Sequence, residues 1–562
     1  MEYIIFIGAI LLFLLFIIIK EAWDARKDEK KFIQTLYQDY GKLSKKEIKL
    51  ERFVRIGGFL KKHPRAGQLD DITWNDLNMD EIFKRMDYTL SSTGEEYLYY
   101  TLHTPGKTQK ELAHLEEVVD YFMEHEDERI KMQHLMHKLG YTGKFSIYDY
   151  LDYLGELTLR PNWKHYLQDL AYIPLFACLF INVSVGLTGL VLLMIYNIIT
   201  YFKEKKEIEP YIISFGYCLR LITVSEESVK RDIPVCAQEF EQICKHKTAL
   251  SKMRHGAFWV MSMSGTMTNA SGNPLSILVD YFRMIFHVDI IQFNKMLAEL
   301  NKHLDDIDVL VEQLGYLETA ISIGAYRQSL DSGWCRPEFT DKSELILTEG
   351  YHPLINQPVK NSILTTKGVL LTGSNASGKS TFLKTVALAT ILGQTIHTCL
   401  ADKYRAPLYN IYTSIALKDD IKGGDSYYIV EIKSLKRIMD AAGETPRVLC
   451  FVDEVLRGTN TVERIAASTQ ILKSLSGSNL TCFAATHDIE LTDLLKENYA
   501  NYHFEEEIRD GDIFFNYKLM EGKATTRNAI KLLEIMGYGN DIITKAMKQA
   551  QRFSITGKWE LT

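Results

Sequence analysis

Apolar residues along this chain follow three different patterns, and each predicts a different kind of element. The first is unbroken: residues 3–19 are almost wholly Ile, Leu and Phe, and residues 171–202 run without one charged side chain. The second repeats every third or fourth residue, as an amphipathic helix does, over 111–139, 225–254 and 282–317. In the last of these, Leu297, Leu300, Leu304, Ile307, Val311 and Leu314 form a stripe that reads as a packing seam. The third is short and rich in Val, Leu and Cys: Val369-Leu370-Leu371, Val448-Leu449-Cys450-Phe451-Val452 and Leu480-Thr481-Cys482-Phe483-Ala484-Ala485 read as buried strands.

The unbroken runs are long enough to concern a membrane, since a spanning helix needs about 20 apolar residues. Residues 3–19 follow Met1-Glu2 and lead into Lys20-Glu21-Ala22-Trp23. A cleaved signal peptide would carry a basic start and a small-residue cleavage site instead, so the pattern predicts a transmembrane anchor over 1–20. Lys20, Arg26, Lys27, Lys30 and Lys31 follow it, which assigns the downstream chain to the cytoplasm. The 171–202 run is too long for one span and tight for two. Arg160 and Lys164 precede it, and Lys203, Lys205 and Lys206 follow. Basic flanks on both sides predict a hairpin that turns near 182–189 and returns to the side it left; whether it makes two spans or one re-entrant segment stays open. The expected location is the cell membrane, multi-pass, with the lipid bilayer as a partner.

The strongest chemical signal follows the first short strand. Gly373-Ser374-Asn375-Ala376-Ser377-Gly378-Lys379-Ser380 fits G-x4-GK[ST], and the apolar positions from Thr381 to Ala389 continue it as a helix. The glycines permit a tight turn that aims backbone N–H groups at phosphate oxygens, at a helix N-terminus whose dipole favours anions. Lys379 then reaches the β and γ phosphates of ATP, and the Ser380 hydroxyl can ligate Mg2+. The second strand ends in Asp453-Glu454. A solvated acidic pair is the ordinary fate of such residues, but at a strand tip beside a phosphate loop Asp453 can hold Mg2+ and Glu454 can polarise the attacking water. The third strand ends in Thr486-His487-Asp488, where His487 is placed to sense the γ-phosphate. Together these residues describe an ATP hydrolase.

These segments resemble the MutS-like ATPases, of the ABC-related P-loop class. Thr372 to Thr381 is similar to that family's T-G-P-N-M-x-G-K-S-T, 453–461 to its D-E-x-G-R-G-T-S-T, and Ala485-Thr486-His487 with Leu491 to its A-T-H-x-x-E-L. Asp419 to Glu431 resembles its D-D-x-x-x-G-x-S-T-F-M-x-E signature. The resemblance implies that Ser426 addresses the γ-phosphate held by an opposite subunit, hence a homodimer with composite ATP sites. Two further matches lie outside the nucleotide core: Asp87-Tyr88-Thr89 with Gly94, Leu98, Leu102 and Pro105, and Trp334-Cys335-Arg336-Pro337 with Glu349-Gly350-Tyr351-His352-Pro353. The fold so implied is an α/β ABC-like ATPase domain over 341–562, preceded by an α-helical lever bundle. That bundle comprises a first half within 21–170 and a clamp-position region over 203–340, separated by the 171–202 hairpin. The implied activity is ATP hydrolysis coupled to binding of mismatched or branched DNA, in a context related to mismatch repair. Departures are also visible: Asp425 replaces Arg, Leu456 stands where Gly is usual, Glu463-Arg464 replaces Asp-Gly, and about 65 residues between Lys20 and Asp87 leave no room for a mismatch-reading domain.

Composition narrows the partners. Lys+Arg total 65 against 72 Asp+Glu, a net charge of −7, so any nucleic acid must meet a local basic surface. The eight cysteines include no CxxC pair, which argues against structural zinc or a disulfide framework. The alternative reading is a mechanical ATPase of the ABC type that acts on a membrane or protein partner without a DNA role; the partners expected besides DNA and the bilayer include an unidentified repair or membrane partner. A transporter is disfavoured because neither apolar run offers a charged side chain to line a path.

Overall fold

The computed structural model describes every residue except 1, 45, 47–49, 54, 144, 158, 159, 251–258, 261–273, 375, 376, 416–426, 444, 458, 478, 510, 511, 525–528, 558 and 560–562. The chain forms two compact units, one made of 1–63, 86–100 and 116–329, the other of 64–85, 101–115 and 330–562. The second is discontinuous: it draws in two early segments besides the C-terminal part beyond 341.

The first unit is helical, in shorter pieces than the periodicity suggests. The 111–139 pattern is two helices, Gln109–Glu124 and Glu126–Leu139, parted at His125. The 282–317 pattern is spread over Pro274–Phe286, Val288–Leu300 and Leu304–Gln328, with His287 in a left-handed turn at φ 49° between the first two. The stripe does face the interior: Leu297, Leu300, Ile307, Val311 and Leu314 are buried and Leu304 is half-buried. Farther along the same helix, Glu318 accepts bonds from the Leu90 N–H and the Ser91 hydroxyl. Asp87 accepts from the Thr89 N–H and hydroxyl at 3.0 and 2.6 Å and pairs with Lys46 at 2.5 Å. The Asp87-Tyr88-Thr89 segment therefore acts as a cap tied by side chains, and the residues just after it bond to a buried carboxylate of a distant helix.

The first 38 helical residues run unbroken from Glu2 to Asp39; most side chains of 3–19 lie outside those described. The 171–202 run forms a helical hairpin. Helix Tyr172–Ile181 ends at Asn182, whose side chain accepts from the Ser184 and Val185 N–H groups and starts helix Val183–Ser228. The arms lie close because Gly186 has no side chain: a Cβ there would meet the Leu179 backbone nitrogen at 2.7 Å. Stretch Val183–Glu209 is long and apolar enough to cross a membrane by length and composition.

The second unit is built on a six-stranded sheet. Its strands are β4 Gly368–Thr372, β6 Tyr409–Ser414, β7 Arg447–Asp453, β8 Leu480–Ala485, β9 Tyr499–His503 and β12 Met520–Glu521, in the order β12-β9-β4-β8-β7-β6. All neighbours are parallel except the edge strand β12. β4, β7 and β8 are buried along almost their whole length, as parallel strands covered on both faces must be. A second sheet joins β1 Glu338–Phe339, β5 Lys403–Ala406, β2 Leu345–Gly350 and β3 Asn361–Thr365. Strands β10 Glu506–Arg509 and β11 Asp512–Phe515 pair antiparallel by themselves. The early segment contributes helix Asp71–Asp76, packed on the C-terminal end of β6: the Asp76 carboxylate accepts from the Thr413 hydroxyl at 2.7 Å and the Ile415 N–H at 2.8 Å.

Candidate functional site

Parallel pairing brings three strand ends to one edge of the sheet. Leu371 of β4 and Asp453 of β7 both register against Ala485 of β8, and Thr372 registers against His503 of β9. The Thr486 N–H donates to the Leu371 carbonyl and the Glu454 N–H to the Ala485 carbonyl, each at 2.9 Å. The phosphate loop, the acidic pair and His487 therefore converge at the carboxyl ends of the strands, where open α/β sheets bind ligands.

Gly373 and Gly378 take φ of 141° and 112°, values that exclude residues with a Cβ from an unstrained turn. Helix Lys379–Ile396 starts directly after Gly378. The Lys379 ammonium donates to the Gly373 and Ser374 carbonyls at 2.9 and 2.8 Å and lies 3.4 Å from His487 Nε2. Ser374 donates to Glu506 at 2.7 Å, which fixes the loop's outer side. Ser377 is buried within the loop, and Thr381 lies in the first turn of the helix. Asn375, Ala376 and Ser426 lie outside the described residues.

The Ser380 hydroxyl donates to Asp453 Oδ2. This hydroxyl–carboxylate pair at a helix N-terminus is an all-oxygen donor set that fits Mg2+, which takes one or two protein ligands and completes its shell with phosphate and water. Among the described residues there is no cluster of three or more His, Cys, Asp or Glu able to hold a metal by themselves.

Glu454 sits at φ 62° and Leu456 at φ 59°, so the turn after β7 holds two left-handed residues that are not glycine, each at a cost of about 1–2 kcal/mol. That explains why Gly is usual at the Leu456 position. Here the Leu456 side chain is buried in the core below the sheet, and its N–H donates to Glu431 at 2.5 Å. Glu454 Oε1 lies 2.9 Å from His487 Nε2, and Oε2 lies 2.5 Å from Arg457 Nε. Burial pushes the Glu454 carboxyl up, but the His487 hydrogen bond and the Arg457 and Lys379 charges outweigh it and hold the group below the usual carboxylate range. An ionised carboxylate at this place can accept a proton from water. Burial dominates Lys379 and lowers it, against Asp453 and Glu454, which raise it.

Several residues at this site escaped the sequence reading. Arg457 pairs with Glu454 three residues earlier, a spacing visible in 453–457. Arg464 clamps Asp488, next to His487, through two bonds of 2.9 and 2.7 Å, so the Glu463-Arg464 departure has a local use. The cavity beside the loop, about 600 Å3, is lined on its apolar side by Ile355, Pro358, Val359, Phe504 and Tyr517 and on its polar side by Lys379, Ser380, Asp453 and Glu454. Asn361 donates to the Tyr517 carbonyl at 2.9 Å and accepts from the Leu519 N–H at 2.8 Å, which fixes the wall carrying Tyr517. No local motif marks these apolar residues; only the fold brings them to the loop.

Comparison with known proteins gives one consistent result. The family described as MutS domain V matches residues 369–554. The chain is 32% identical over 270 residues to the DNA mismatch repair protein MutS of Aquifex pyrophilus, covering 46% of this chain and 31% of that protein. It is 31% identical over 219 residues to the DNA mismatch repair protein MutS of Thermus thermophilus, covering 38% and 26%. It is 31% identical over 283 residues to the human MutS protein homolog 4, covering 47% and 30%. The matched part thus spans about a third of the length of these curated relatives.

Proposed function

The chain belongs to the MutS family through its C-terminal ATPase domain, and from that premise we propose that it hydrolyses ATP in a composite-site homodimer and couples the cycle to DNA. The observation that carries the reading is the convergence of Lys379, the Ser380–Asp453 pair and the Glu454–His487 pair at one sheet edge. The loop amides and Lys379 hold the β and γ phosphates of ATP. Ser380 and Asp453 hold Mg2+, which neutralises charge on the phosphates when bound. Glu454 takes a proton from the attacking water as its oxygen bonds to the γ-phosphorus; the bond to the β–γ bridging oxygen breaks, leaving ADP and phosphate. His487 orients Glu454 and faces the γ-phosphate. Ser426 of one subunit completes the site of the other.

The relatives' names as DNA mismatch repair proteins support mismatched DNA as the client; branched DNA is the second structure proposed. The helical unit is the lever that carries the nucleotide cycle, and the 171–202 hairpin with the 1–20 helix attaches the molecule to the membrane. A second reading, a mechanical ATPase working on a membrane or protein partner, is favoured by the exposed apolar hairpin inserted within the helical unit.

ATP turnover by the purified full chain tests the engine, and mixing of variants tests the dimer. Lys379→Ala and Ser426→Ala should each be inactive alone and recover activity when mixed, because each mixed dimer keeps one intact site. Turnover by Lys379→Ala alone would refute the phosphate-site assignment; no recovery on mixing would refute trans sites.

A further inference from the structure

The hairpin measures its own depth. Its two arms stay in register along their length: Gly186 faces Leu179, the Asn197 amide donates to the Tyr172 hydroxyl at 3.2 Å, His165 lies 3.3 Å from Glu204, and Arg160 pairs with Glu207 at 2.6 Å. Beyond the Tyr172–Asn197 contact the arms carry exposed Ile173, Phe176, Phe180, Val185, Leu192 and Ile195. At Asn197 the hairpin meets the rest of its unit: the Asn197 amide also donates to the Ile285 carbonyl, and His287 bonds the Asn197 carbonyl. The free part of the first arm, helix Tyr172–Ile181, is 10 residues, about 15 Å at 1.5 Å per residue. That is half the hydrocarbon core of a bilayer, one leaflet rather than two.

A cavity of about 530 Å3 opens between the arms on the far side of that level, and its lining includes Lys164, Leu167, Tyr196 and Lys203 together with the pairs Arg160–Glu207 and His165–Glu204. It begins about 14 residues from the turn, about 21 Å along a helix, which is the depth of the phosphates when headgroups are counted with one leaflet. Exposed aromatic residues gather around the cavity, Trp163, Tyr166 and Tyr196, the composition of a membrane–water interface. The charges around the cavity do not cancel. Arg160 is taken by Glu207 and Glu204 lies against His165, so that Arg160, Lys164 and Lys203 face two carboxylates; Lys164 lies 5.9 Å from the Trp163 ring, and Lys203 has no acidic ion-pair partner among the described residues.

We propose that this cavity binds the phosphate of an anionic phospholipid headgroup through Lys164 and Lys203, in the single leaflet that the hairpin enters. The glycerol region lies against Leu167 and Tyr196, and the acyl chains run along the exposed arms. The proposal rests on the membrane reading of the hairpin, and the test separates the two.

The full chain, purified in detergent, is mixed with phosphatidylcholine vesicles or with vesicles that also contain phosphatidylglycerol, and flotation is measured at about 0.5 M salt. The screening length there is roughly 4 Å, so diffuse attraction to the surface fades while a pocket contact persists. The wild type should float with both and prefer the anionic vesicles by about tenfold. K164A with K203A should lose that preference yet still float with phosphatidylcholine and keep its ATPase rate in detergent. K164R with K203R should retain the preference. Equal flotation of the wild type on both vesicles, or an unchanged preference in K164A with K203A, overturns the headgroup site and leaves the hairpin reading intact. If the wild type floats with neither, the membrane reading of the hairpin fails and the site fails with it. Abolition of the preference by glycerol 3-phosphate at the same concentration as the lipid would make this a free phosphate-ester site and overturn the lipid assignment.

Discussion

Two stretches of nearly identical apolar character have opposite fates in this molecule. Val448-Leu449-Cys450-Phe451-Val452 is wholly buried between neighbouring strands, whereas Phe180 and Ile181 at the hairpin turn are 93% and 86% exposed. The difference is what covers them. The strand's hydrogen bonds run to β6 and β8 and its side chains to helices on both faces. The hairpin satisfies its own backbone, because a helix needs no neighbour for that, and so it can leave the protein's core altogether. Apolar composition tells that a segment avoids water; only the hydrogen-bonding partner tells whether the refuge is protein or something else.

The largest expected effect tests the sheet side of that comparison. Glu454→Gln keeps shape but cannot accept the proton, so turnover should fall about 10²–10⁴-fold while nucleotide binding stays near normal. Single-turnover and binding assays check it, and persistent hydrolysis would remove Glu454 as the base. Next, paired truncations set the two stretches against each other. Phe451→Ala should cost about 3–5 kcal/mol and Phe180→Ala no more than about 0.5 kcal/mol in detergent denaturation. A large cost at Phe180 would mean that the hairpin is packed against protein.

A smaller effect concerns pH. Burial, with the Lys384 and Arg85 charges, lowers His352 to about 4, and its Nδ1 accepts the Leu354 N–H at 3.3 Å, which requires the neutral ring. The unfolded histidine titrates near about 6.5, so between that value and about 4 the unfolded chain binds more protons. Stability is full above the unfolded value and is lost as pH falls toward the folded one, by about 2 kcal/mol at about pH 5. His352→Asn should flatten that slope in urea titrations of the sheet unit. The smallest effect lies at the hairpin turn: Asn182→Ala removes a cap worth about 1 kcal/mol and should speed hydrogen exchange at Ser184 and Val185 alone.

Much of the phosphate-loop edge was legible because its information is local. Gly373, Gly378, Lys379 and Ser380 lie within one short stretch of sequence, and strands β4, β7 and β8 fall where short apolar runs predict them. Tyr517 and Val359, which wall the same cavity, were not legible, since nothing in their neighbourhoods points to a ligand and the sheet brings them together from distant parts of the chain. The helical unit was legible in its inward stripe but not in its breaks. His287 interrupts a periodic pattern through a left-handed residue, which apolar spacing cannot register. The discontinuity of the sheet unit escaped as well, because Asp76 contacts Thr413 through a fold-dependent bond with no periodic signature.

Binding of DNA by the detergent-solubilised chain is the sharpest test of the coupling between the nucleotide site and DNA. Homoduplex, mismatched and branched duplexes are compared with and without ATP across a salt series. A DNA-coupled ATPase should show structure-selective binding that changes with nucleotide and whose log affinity falls linearly with log salt. Unselective or absent binding beside intact ATP turnover would contradict that coupling, and would mean that this nucleotide engine serves a client other than DNA.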